Sequence, residues 1–382
     1  MKKKVLIMTG FYVPSVKAGG PVQSIKNLVD NLSDRFDFYI ITSDRDLGDK
    51  NPFDNLQTEK WINIGFAKVY YTDTSKFTLR KSLKVIGNID YDILYLNSFF
   101  SVRFSIFPVI LRKLRLIKKV RTVIAPRGEF SPGALTFSTF KKRTYIFISK
   151  IMNLYKNITW HATSHEEEKI IGSLFGKVNI QKVTNLTANH AKTVYTKEIK
   201  KTPGELKIAY IARIHPMKNL KQSLEILQKV KGKILFNIYG PIEDKQYWLS
   251  CEKVINSMPS NIKVKYRGII PNNKIHEIHG NHHVYMLLTL GENFGHSISE
   301  ALIGGSPVIV SNKTPWRHLS KFEAGYDLSL DNTPQIINKI NYFLNLNQQE
   351  YEDISRKAFK FGKDRSNQLK KINAYIHLFN DV

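Results

Sequence analysis

The sequence predicts an α/β protein with two Rossmann-like domains that face each other across a cleft. Two observations support this fold class. Short continuous runs of Val, Ile and Leu, typical of strands buried on both faces, alternate with longer helical patterns from one end of the chain to the other. At 382 residues, the chain is also long enough for two ordinary domains.

The predicted strands form two series of five. The first series comprises 5–8, 38–42, 92–97, 122–126 and 158–163, and the second comprises 208–212, 234–240, 264–268, 284–288 and 307–311. Between them, the chain has no long apolar run. We therefore predict an N-terminal domain over 1–190, a linker over 191–205, a C-terminal domain over 206–352 and C-terminal helices over 353–382. Ligands of open parallel sheets bind at the carboxyl ends of the strands, so the site is expected there.

The charge balance is strongly basic. Lysine and arginine outnumber the acidic residues by 58 to 32, which gives a net charge of +26. Such a charge favours polyanionic partners, namely nucleic acid, anionic lipid headgroups or phosphorylated substrates. A nucleic-acid-binding protein is therefore one alternative, although the sequence contains no zinc-finger or RNP-like motif.

Cysteine content and hydropathy indicate the compartment. The single cysteine, Cys251, excludes an internal disulfide and a multi-cysteine zinc site, and it fits a reducing environment. No apolar run approaches the roughly 18 residues of a membrane-spanning helix. The apolar part of the N-terminus, Val5 to Met8, is too short for a signal peptide. We therefore predict a cytoplasmic protein.

The first motif follows the first predicted strand. Gly19 and Gly20 precede Pro21, which suits the first turn of a helix. The free N–H groups of a helix start can hold a phosphate, and glycine permits its close approach. The alternative is an ordinary connection between a strand and a helix. A dinucleotide fingerprint and a Walker A motif are both absent.

The second motif follows the strand at 208–212. Arg213 and Lys218 converge at the carboxyl end of this strand, and Asn219 is predicted to cap a helix that begins at Leu220. Two such cations suit a diphosphate, because arginine acts as a fork and lysine as a point charge. The alternative is a solvated basic loop.

The third motif holds two glutamates. Phe294-Gly295 predicts a turn, and the next residues predict a helix that ends at Gly304-Gly305. Glu292 then lies before this helix and Glu300 lies inside it. Eight helical residues rise about 12 Å, whereas the paired carboxylates of a glycosidase lie roughly 5–9.5 Å apart. The spacing favours contacts to two parts of one ligand; isolated acids at a helix start are the alternative.

Together, the three motifs resemble those of retaining glycosyltransferases of family 4, which have the GT-B fold. Their order, separation and strand contexts match over nearly the whole chain. Three further stretches, 95–101, 125–135 and 291–316, resemble transferases that assemble bacterial surface polysaccharides such as capsule, O-antigen or exopolysaccharide. In GT-B relatives the C-terminal helices cross back onto the first domain.

The resemblance implies a metal-independent hexosyl- or N-acetylhexosaminyl-type transferase that uses a nucleotide-diphosphate sugar, with UDP-sugar favoured over GDP-sugar. It implies that Arg213 and Lys218 bind the phosphates and stabilise the leaving group, and that Glu300 holds the ribose. The donor sugar is expected to contact Glu292 and the backbone of Asn293, Phe294 and Gly295, and the phosphates are expected to be covered by Gly19 and Gly20.

The resemblance also implies an acceptor on the N-terminal side, near Arg127, Gly128 and His161. Many relatives carry a histidine where Arg127 stands, and arginine cannot act as a base. His283 replaces an acid that is frequent in relatives. Both departures leave the roles at these two positions open. A nucleotide-sugar epimerase on the same general fold is a further alternative, and it would convert a free UDP-sugar without an acceptor.

Two more features concern metal and membrane. Asp90-Tyr91-Asp92 matches a metal-binding pattern of the other large glycosyltransferase fold, but we favour the start of a surface strand. The stretches 100–121 and 139–157 mix apolar with basic residues and predict docking on anionic membrane, the alternative being helices with a solvated basic face. A polyprenyl-diphosphate-linked acceptor would place the protein at the inner face of the cell membrane.

Overall fold

The computed structural model describes residues 1–131, 139–190, 193–271, 274–366 and 368–380. The chain divides into two compact units. The first consists of Met1–Ala188 together with Gln368–Val382, and the second consists of Asn189–Asn367. Residues 132–138, part of the stretch 125–135 that carries the resemblance, lie outside the described residues.

The first unit contains an eight-stranded sheet with the order β3-β4-β2-β1-β5-β6-β7-β8. All neighbours pair in parallel except β3 and β4, which are antiparallel. The strands are β1 (Lys3–Thr9), β2 (Phe36–Ser43), β3 (Trp61–Ile64), β4 (Ala67–Thr72), β5 (Ile93–Asn97), β6 (Arg121–Ala125), β7 (Thr159–Ala162) and β8 (Ile180–Lys182).

Helices cover this sheet in the described part of the first unit. They are α1 (Gly20–Leu32), α2 (Leu79–Gly87), α3 (Phe107–Lys113), α4 (Thr139–Ile151) and α5 (His165–Phe175), and a π-helical turn, Val102–Ile106, leads into α3. Helix α1 begins with Pro21 in its first turn and buries Val22, Ile25 and Leu28 against the sheet, as its apolar spacing predicts.

The second unit contains a six-stranded, fully parallel sheet with the order β11-β10-β9-β12-β13-β14. Its strands are β9 (Glu205–Ile211), β10 (Lys233–Tyr239), β11 (Ile262–Tyr266), β12 (Val284–Leu287), β13 (Val308–Ser311) and β14 (Gly325–Leu328). Its helices are α6 (Leu220–Leu227), α7 (Lys245–Asn256), α8 (Ile275–Gly280), α9 (His296–Ile303), α10 (Thr333–Asn345) and α11 (Gln348–Arg365).

The strand orders locate the ligand-binding positions of both sheets. In sequence order within its unit, the second sheet reads 3-2-1-4-5-6, so its order reverses between β9 and β12. In the first unit, the corresponding reversal lies between β1 and β5. Open parallel sheets bind ligands beyond the carboxyl ends of the strands at this reversal. The loops after β1, β5, β9 and β12 are therefore the expected ligand-binding loops.

The C-terminal helix α12 (Leu369–Asn380) belongs to the first unit. It buries Tyr375, Leu378 and Phe379, and the carbonyl of Leu378 accepts a hydrogen bond from Arg121 Nε at 2.7 Å. Helix α11 instead packs its apolar face in the core of the second unit. The chain therefore changes units at 367/368, whereas the sequence-based boundary was 352/353.

The segment predicted as a linker packs on the second unit. The amine of Lys197 is buried and donates to the carbonyls of His279 and His282 and to Ser306 Oγ at 2.6–2.8 Å. The amine of Lys201 is likewise bound by the carbonyls of Leu344 and Leu346. These buried lysines fix the segment although it has no long apolar run. Residues 191 and 192 of the predicted linker lie outside the described residues.

Candidate functional site

The loop after β9 carries the two predicted phosphate-binding cations. It forms a short 3₁₀ turn, Pro216–Lys218, and Asn219 follows in the left-handed conformation with φ 54°. The Asn219 side chain does not cap α6, contrary to our prediction, because its amide donates instead to the carbonyl of Leu288 at 2.9 Å. Asn219 thus joins the loop after β9 to the end of β12.

The loop after β12 is fixed to the same turn. The carbonyl of Met217 accepts hydrogen bonds from Leu290 N at 2.9 Å and from Thr289 Oγ1 at 2.8 Å. Both loops lie at the reversal of the strand order, and these bonds hold them side by side. Lys218 and the glutamates of the third motif therefore meet although they are far apart in sequence.

Lys218 and Glu292 form an ion pair. Lys218 Nζ lies 2.6 Å from Glu292 Oε2, and both side chains are 17% exposed. Burial alone would raise the pKa of the Glu292 carboxyl, but the charge of Lys218 and its hydrogen bond outweigh burial and lower it. Glu292 is consequently ionised at neutral pH. The predicted phosphate ligand and the predicted sugar ligand are in direct contact.

Glu300 lies inside α9. Its carboxylate makes no hydrogen bond or ion pair with the described residues, and burial raises its pKa to about 8. Burial, followed by the charges of Glu292 and Glu300, raises the pKa of Tyr285. Both carboxylates thus lie near the Tyr285 hydroxyl, which also contacts Ser297 Oγ at 2.8 Å. A buried carboxyl without a protein partner can accept hydrogen bonds from a ligand, and when protonated it can also donate one.

Arg213 is paired with a residue that the sequence analysis did not identify. Its guanidinium contacts Glu243 Oε2 at 2.7 Å, and the two side chains are 37% and 30% exposed. Glu243 follows β10, so the rule that ligands bind at the carboxyl ends of strands could have identified it. The ion pair orients the Arg213 guanidinium and leaves part of it accessible to a ligand.

The turn before α9 has the predicted form. Gly295 adopts φ 79° at the start of the helix, and α9 begins at His296 as predicted. A Cβ on Gly295 would lie 2.8 Å from Ile298 Cδ1 and 3.3 Å from Glu292 Cγ. Only glycine fits this turn, which directs the N-terminus of α9 and the side chain of Glu292 to the same region.

In the first unit, Gly19 ends the loop after β1, and Gly20 is the first residue of α1. Gly19 has φ 61° and no side-chain cap lies at the start of α1. The loop is held by Asp46, whose carboxylate accepts hydrogen bonds from Ser15 Oγ, Val16 N and Lys17 N at 2.5–3.1 Å. Asp46, which follows the adjacent strand β2, therefore fixes the glycine loop, a contact that the sequence analysis did not predict.

The predicted acceptor-side residues lie in a polar network in the first unit. Arg127, in the left-handed conformation with φ 57°, donates from Nε to Asn97 Oδ1 at 2.7 Å and from Nη2 to the Tyr95 hydroxyl at 2.7 Å. Asn185 accepts a further hydrogen bond from its guanidinium. The guanidinium is thus bound within the unit, and any contact of Arg127 to an acceptor would use what remains of its surface.

Gly128 and His161 belong to the same region. Gly128 N donates to Glu167 Oε1 at 2.6 Å. His161 is completely buried between the Tyr95 hydroxyl and the carbonyl of Val183, at 2.8 and 2.7 Å, and burial lowers its pKa to about 3. His161 is therefore neutral, and any influence on an acceptor would pass through Tyr95.

The Asp-x-Asp pattern is bound by lysines. Asp90 contacts Lys118 Nζ at 2.8 Å, and Asp92 Oδ2 accepts a hydrogen bond from Lys4 N at 2.8 Å. Within the described residues, no group of three or more His, Cys, Asp or Glu side chains is arranged to hold a metal ion. The two aspartates are exposed and lie directly before β5, next to the strand start that the sequence analysis favoured.

Comparison with known proteins bears on this site. Residues 192–361 match the family model of "Glycosyl transferases group 1". These residues lie in the second unit and include Arg213, Lys218, Glu292 and Glu300. Among curated proteins, no sequence matches the chain.

Solved structures match both units. Sucrose-phosphate synthase from Thermosynechococcus elongatus matches with 15% identity and a TM-score of 0.73, over 99% of this chain and 98% of that one. Anabaena HepE, in complex with UDP and glucose, matches with 15% identity and a TM-score of 0.70 over 100% of both chains. TarM from S. aureus, in complex with UDP, has 14% identity and a TM-score of 0.68, over 99% of this chain and 100% of that one.

The fold is GT-B. Two Rossmann-like units with parallel sheets and GT-B neighbours along the whole chain confirm the predicted fold class. The family match and the GT-B fold together support a glycosyltransferase.

Proposed function

We propose that this GT-B protein is a retaining, metal-independent glycosyltransferase of family 4 that moves a hexosyl or N-acetylhexosaminyl group from a UDP-sugar to a growing bacterial surface glycan. The observation that carries the proposal is the ion pair of Lys218 and Glu292 beside the unpartnered carboxyl of Glu300, at the strand-order reversal of the second unit. Cations for the diphosphate, a hydrogen-bonding carboxyl for the ribose (Glu300) and one for the sugar (Glu292) thereby surround one position.

The proposed donor site assigns a role to each group. Arg213 and Lys218 bind the diphosphate and stabilise the charge that develops on it as the sugar leaves. In this proposal the two cations do this without a metal. Glu300 holds the ribose. Glu292 and the backbone of 293–295 hold the sugar. The roles predicted for Gly19 and Gly20 stay predictions.

UDP is favoured over GDP as the nucleotide. This preference is supported by the neighbours solved with UDP or UDP-glucose, among them Anabaena HepE. The retaining outcome follows from the family 4 resemblance, with the acceptor attacking the same face of the sugar through an oxocarbenium-like transition state. The acceptor, expected to be polyprenyl-diphosphate-linked, is placed on the first unit near Arg127 and Gly128.

The test of the proposed activity is release of the nucleoside diphosphate, UDP or GDP, from UDP-glucose, UDP-galactose, UDP-N-acetylglucosamine and GDP-mannose with EDTA present. Slow hydrolysis of one UDP-sugar supports the proposal, and Lys218→Ala should abolish it. Conversion of a UDP-sugar into its epimer without UDP release would favour an epimerase. No reaction or binding with any donor, together with tight, salt-sensitive binding of random DNA, would favour a nucleic-acid-binding protein.

We further propose that the protein docks on anionic membrane through α4, at the cytoplasmic face. Phe140, Phe147 and Ile151 lie on one face of this helix and are 84%, 65% and 65% exposed. With Arg143 and Thr144, the two phenylalanines line an open hollow of about 460 Å³. The helix carries no acidic residue and has a lysine or arginine at four positions. An apolar face flanked by cations suits an anionic bilayer surface.

The stretch 100–121 supports this docking only at its end. Phe104, Val109 and Leu111 are buried in the first unit, whereas Leu114 and Leu116 are more than half exposed. Arg112 donates to the carbonyls of Lys156 and Asn157, so the ends of the two stretches lie side by side. Among the described residues, no helix is long and apolar enough to cross a bilayer.

Co-sedimentation with vesicles tests the docking. The wild type should bind vesicles that contain phosphatidylglycerol at low salt and should bind pure phosphatidylcholine more weakly. Replacing Phe140, Phe147 and Ile151 together with serine should remove binding. Phe66→Ser is the matched control, because Phe66 is equally exposed, at 65%, on the turn between β3 and β4. Equal binding by both variants would contradict docking through α4.

A further inference from the structure

Trp316 stands next to the candidate site; it ends the stretch 291–316 that contributes to the resemblance, but the sequence analysis assigned no role to it. It follows β13, is 5% exposed and lies in the core of the second unit. Its indole Nε1–H donates a hydrogen bond to the carbonyl of Phe294 at 2.6 Å. Phe294 is itself 7% exposed, so this bond satisfies two buried polar groups at once.

The loop that carries Trp316 holds both ends of the turn 292–295. At the first end, Glu292 N donates to the carbonyl of Lys313 at 3.1 Å. At the second end, Trp316 holds the carbonyl of Phe294, and a Cβ on Gly295 would lie only 3.2 Å from its Nε1. The turn therefore has little freedom to adopt another conformation while these contacts persist.

The ring of Trp316 has packing partners that do not depend on this hydrogen bond. The ring of Phe361 lies 6.4 Å away, and the guanidinium of Arg365 lies over the indole at 5.9 Å. Both partners belong to α11. Replacing Trp316 with phenylalanine would therefore keep an aromatic ring in the core but remove the donor to Phe294.

The phosphate-binding side of the site is fixed by different contacts. Lys218 lies in a turn held by the bonds of Met217 to Thr289 and Leu290, and Asn219 is bonded to Leu288. Trp316 makes none of these bonds. Loss of the indole N–H should thus disturb the turn 292–295 without displacing the loop that carries Lys218, although the amine of Lys218 also contacts Glu292 in that turn.

We infer that Trp316 is a positioning residue: its indole N–H fixes the turn 292–295 in the conformation that recognises the sugar of the donor. The inference rests on the proposed function, because it assigns this turn to the sugar and Lys218 to the diphosphate. It predicts that Trp316 influences the recognition of a UDP-sugar but not that of UDP. Misplacement of a positioning group by about 1 Å can lower a rate roughly 100-fold.

The experiment compares wild type, Trp316→Phe and Trp248→Phe. Trp248 is the matched control, because its ring packs on Tyr266 at 5.0 Å in the same unit and its indole makes no hydrogen bond to the described residues. Calorimetry measures affinities for UDP and for the UDP-sugar that the wild type hydrolyses. In Trp316→Phe, the affinity for UDP should stay within about two-fold, while affinity for the UDP-sugar or its turnover should fall about ten-fold or more.

A second measurement does not depend on the donor. Amide hydrogen exchange of the peptide that contains 292–297 should accelerate in Trp316→Phe and stay unchanged in Trp248→Phe. If Trp316→Phe alters neither exchange nor UDP-sugar recognition, or if it weakens UDP and UDP-sugar equally, the inference is overturned. If the wild type binds no nucleotide, the proposed function fails, and faster exchange would then support only the positioning of the turn.

Discussion

Lys218 Nζ lies 2.6 Å from Glu292 Oε2, so the cation expected to bind phosphate is already neutralised by the carboxylate expected to bind sugar. A diphosphate that approaches Lys218 must compete with Glu292 for the ammonium group, or share it. The pair has a second effect, because it keeps Glu292 ionised in a buried position. Both effects can be tested by changing one partner at a time.

Glu292→Gln should separate binding from turnover. Removing the negative charge frees Lys218 for the diphosphate, so UDP should bind as tightly as before or several-fold more tightly. Sugar transfer or hydrolysis should fall at least about ten-fold, because the charged contact to the sugar is lost. Glu225→Gln is the control, since Glu225 pairs with Lys221 in an exposed position. Weaker UDP binding in Glu292→Gln would contradict the competition described above.

Glu300 should make UDP binding depend on pH. Burial raises its pKa to about 8, so the carboxyl of the free protein is protonated at pH 7 and ionised at pH 9. An ionised carboxylate accepts stronger hydrogen bonds from ribose hydroxyls, so UDP affinity should rise as the pH rises through about 8. Calorimetry between pH 7 and 9 measures this. The rise should disappear in Glu300→Gln, and an identical profile in this variant would argue against contact with the ribose.

Acid should destabilise the second unit through His283. Its ring is buried between Lys207 N and the carbonyl of Lys200, and burial followed by nearby lysine charges lowers its pKa to about 3. An unfolded histidine titrates near 6.5, so the unfolded state binds more protons between pH 6.5 and 3, and stability is lost as the pH falls through this range. From pH 6.5 to 5 the loss is about 2 kcal/mol.

Urea unfolding at pH 7.5, 6.5 and 5 measures this effect. The loss of stability on acidification should be smaller in His283→Gln, whose side chain has no proton to gain. His276→Gln is the control, because His276 lies on α8 in the same unit and is exposed. A wild-type stability that is the same at pH 6.5 and pH 5 would contradict the assignment.

The C-terminal helix α12 should contribute strongly to the stability of the first unit. Phe379 is 1% exposed and contacts the ring of Phe36 at 5.3 Å and the ring of Tyr95 at 5.8 Å. Phe379→Ala should cost about 3–5 kcal/mol of unfolding free energy. Lys370→Ala, at an exposed position of the same helix, should be neutral by the same denaturation measurement. Equal stability of both variants would show that α12 is not part of the core.

The central strands could be predicted from the sequence because strands buried on both faces appear as continuous apolar runs. All ten predicted runs coincide with strands, and only their ends differ by a few residues. Strands β3, β4, β8 and β14 were not predicted. They are short or mix polar with apolar residues, and three of the four, β3, β8 and β14, are edge strands, where one face needs less apolar cover.

The candidate site was predictable only in part. Ligands of parallel sheets bind at the carboxyl ends of the strands, and this rule placed Lys218 and Glu292 at the same edge of the second sheet. Their ion pair, however, joins residues 74 positions apart and depends on loop conformations that the hydrophobic pattern of the sequence does not encode. The orientation of the Arg127 side chain was not predictable for the same reason. Its hydrogen-bond partners Asn97 and Asn185 lie at the end of β5 and in a distant loop. Trp316 was noted within a motif, yet only the structure reveals its bond to Phe294.

Calorimetric titration of UDP in the presence of EDTA tests the central claim, a metal-independent diphosphate site on the second unit, most directly. Wild type and Lys221→Ala should bind UDP alike, because Lys221 lies three residues further on and, within the described part of the chain, forms an ion pair only with exposed Glu225 at 3.9 Å. Lys218→Ala should bind roughly 10- to 150-fold more weakly, the cost of a lost charge-assisted contact. Equal UDP affinity in Lys218→Ala and wild type, or no UDP binding by the wild type, would contradict this account.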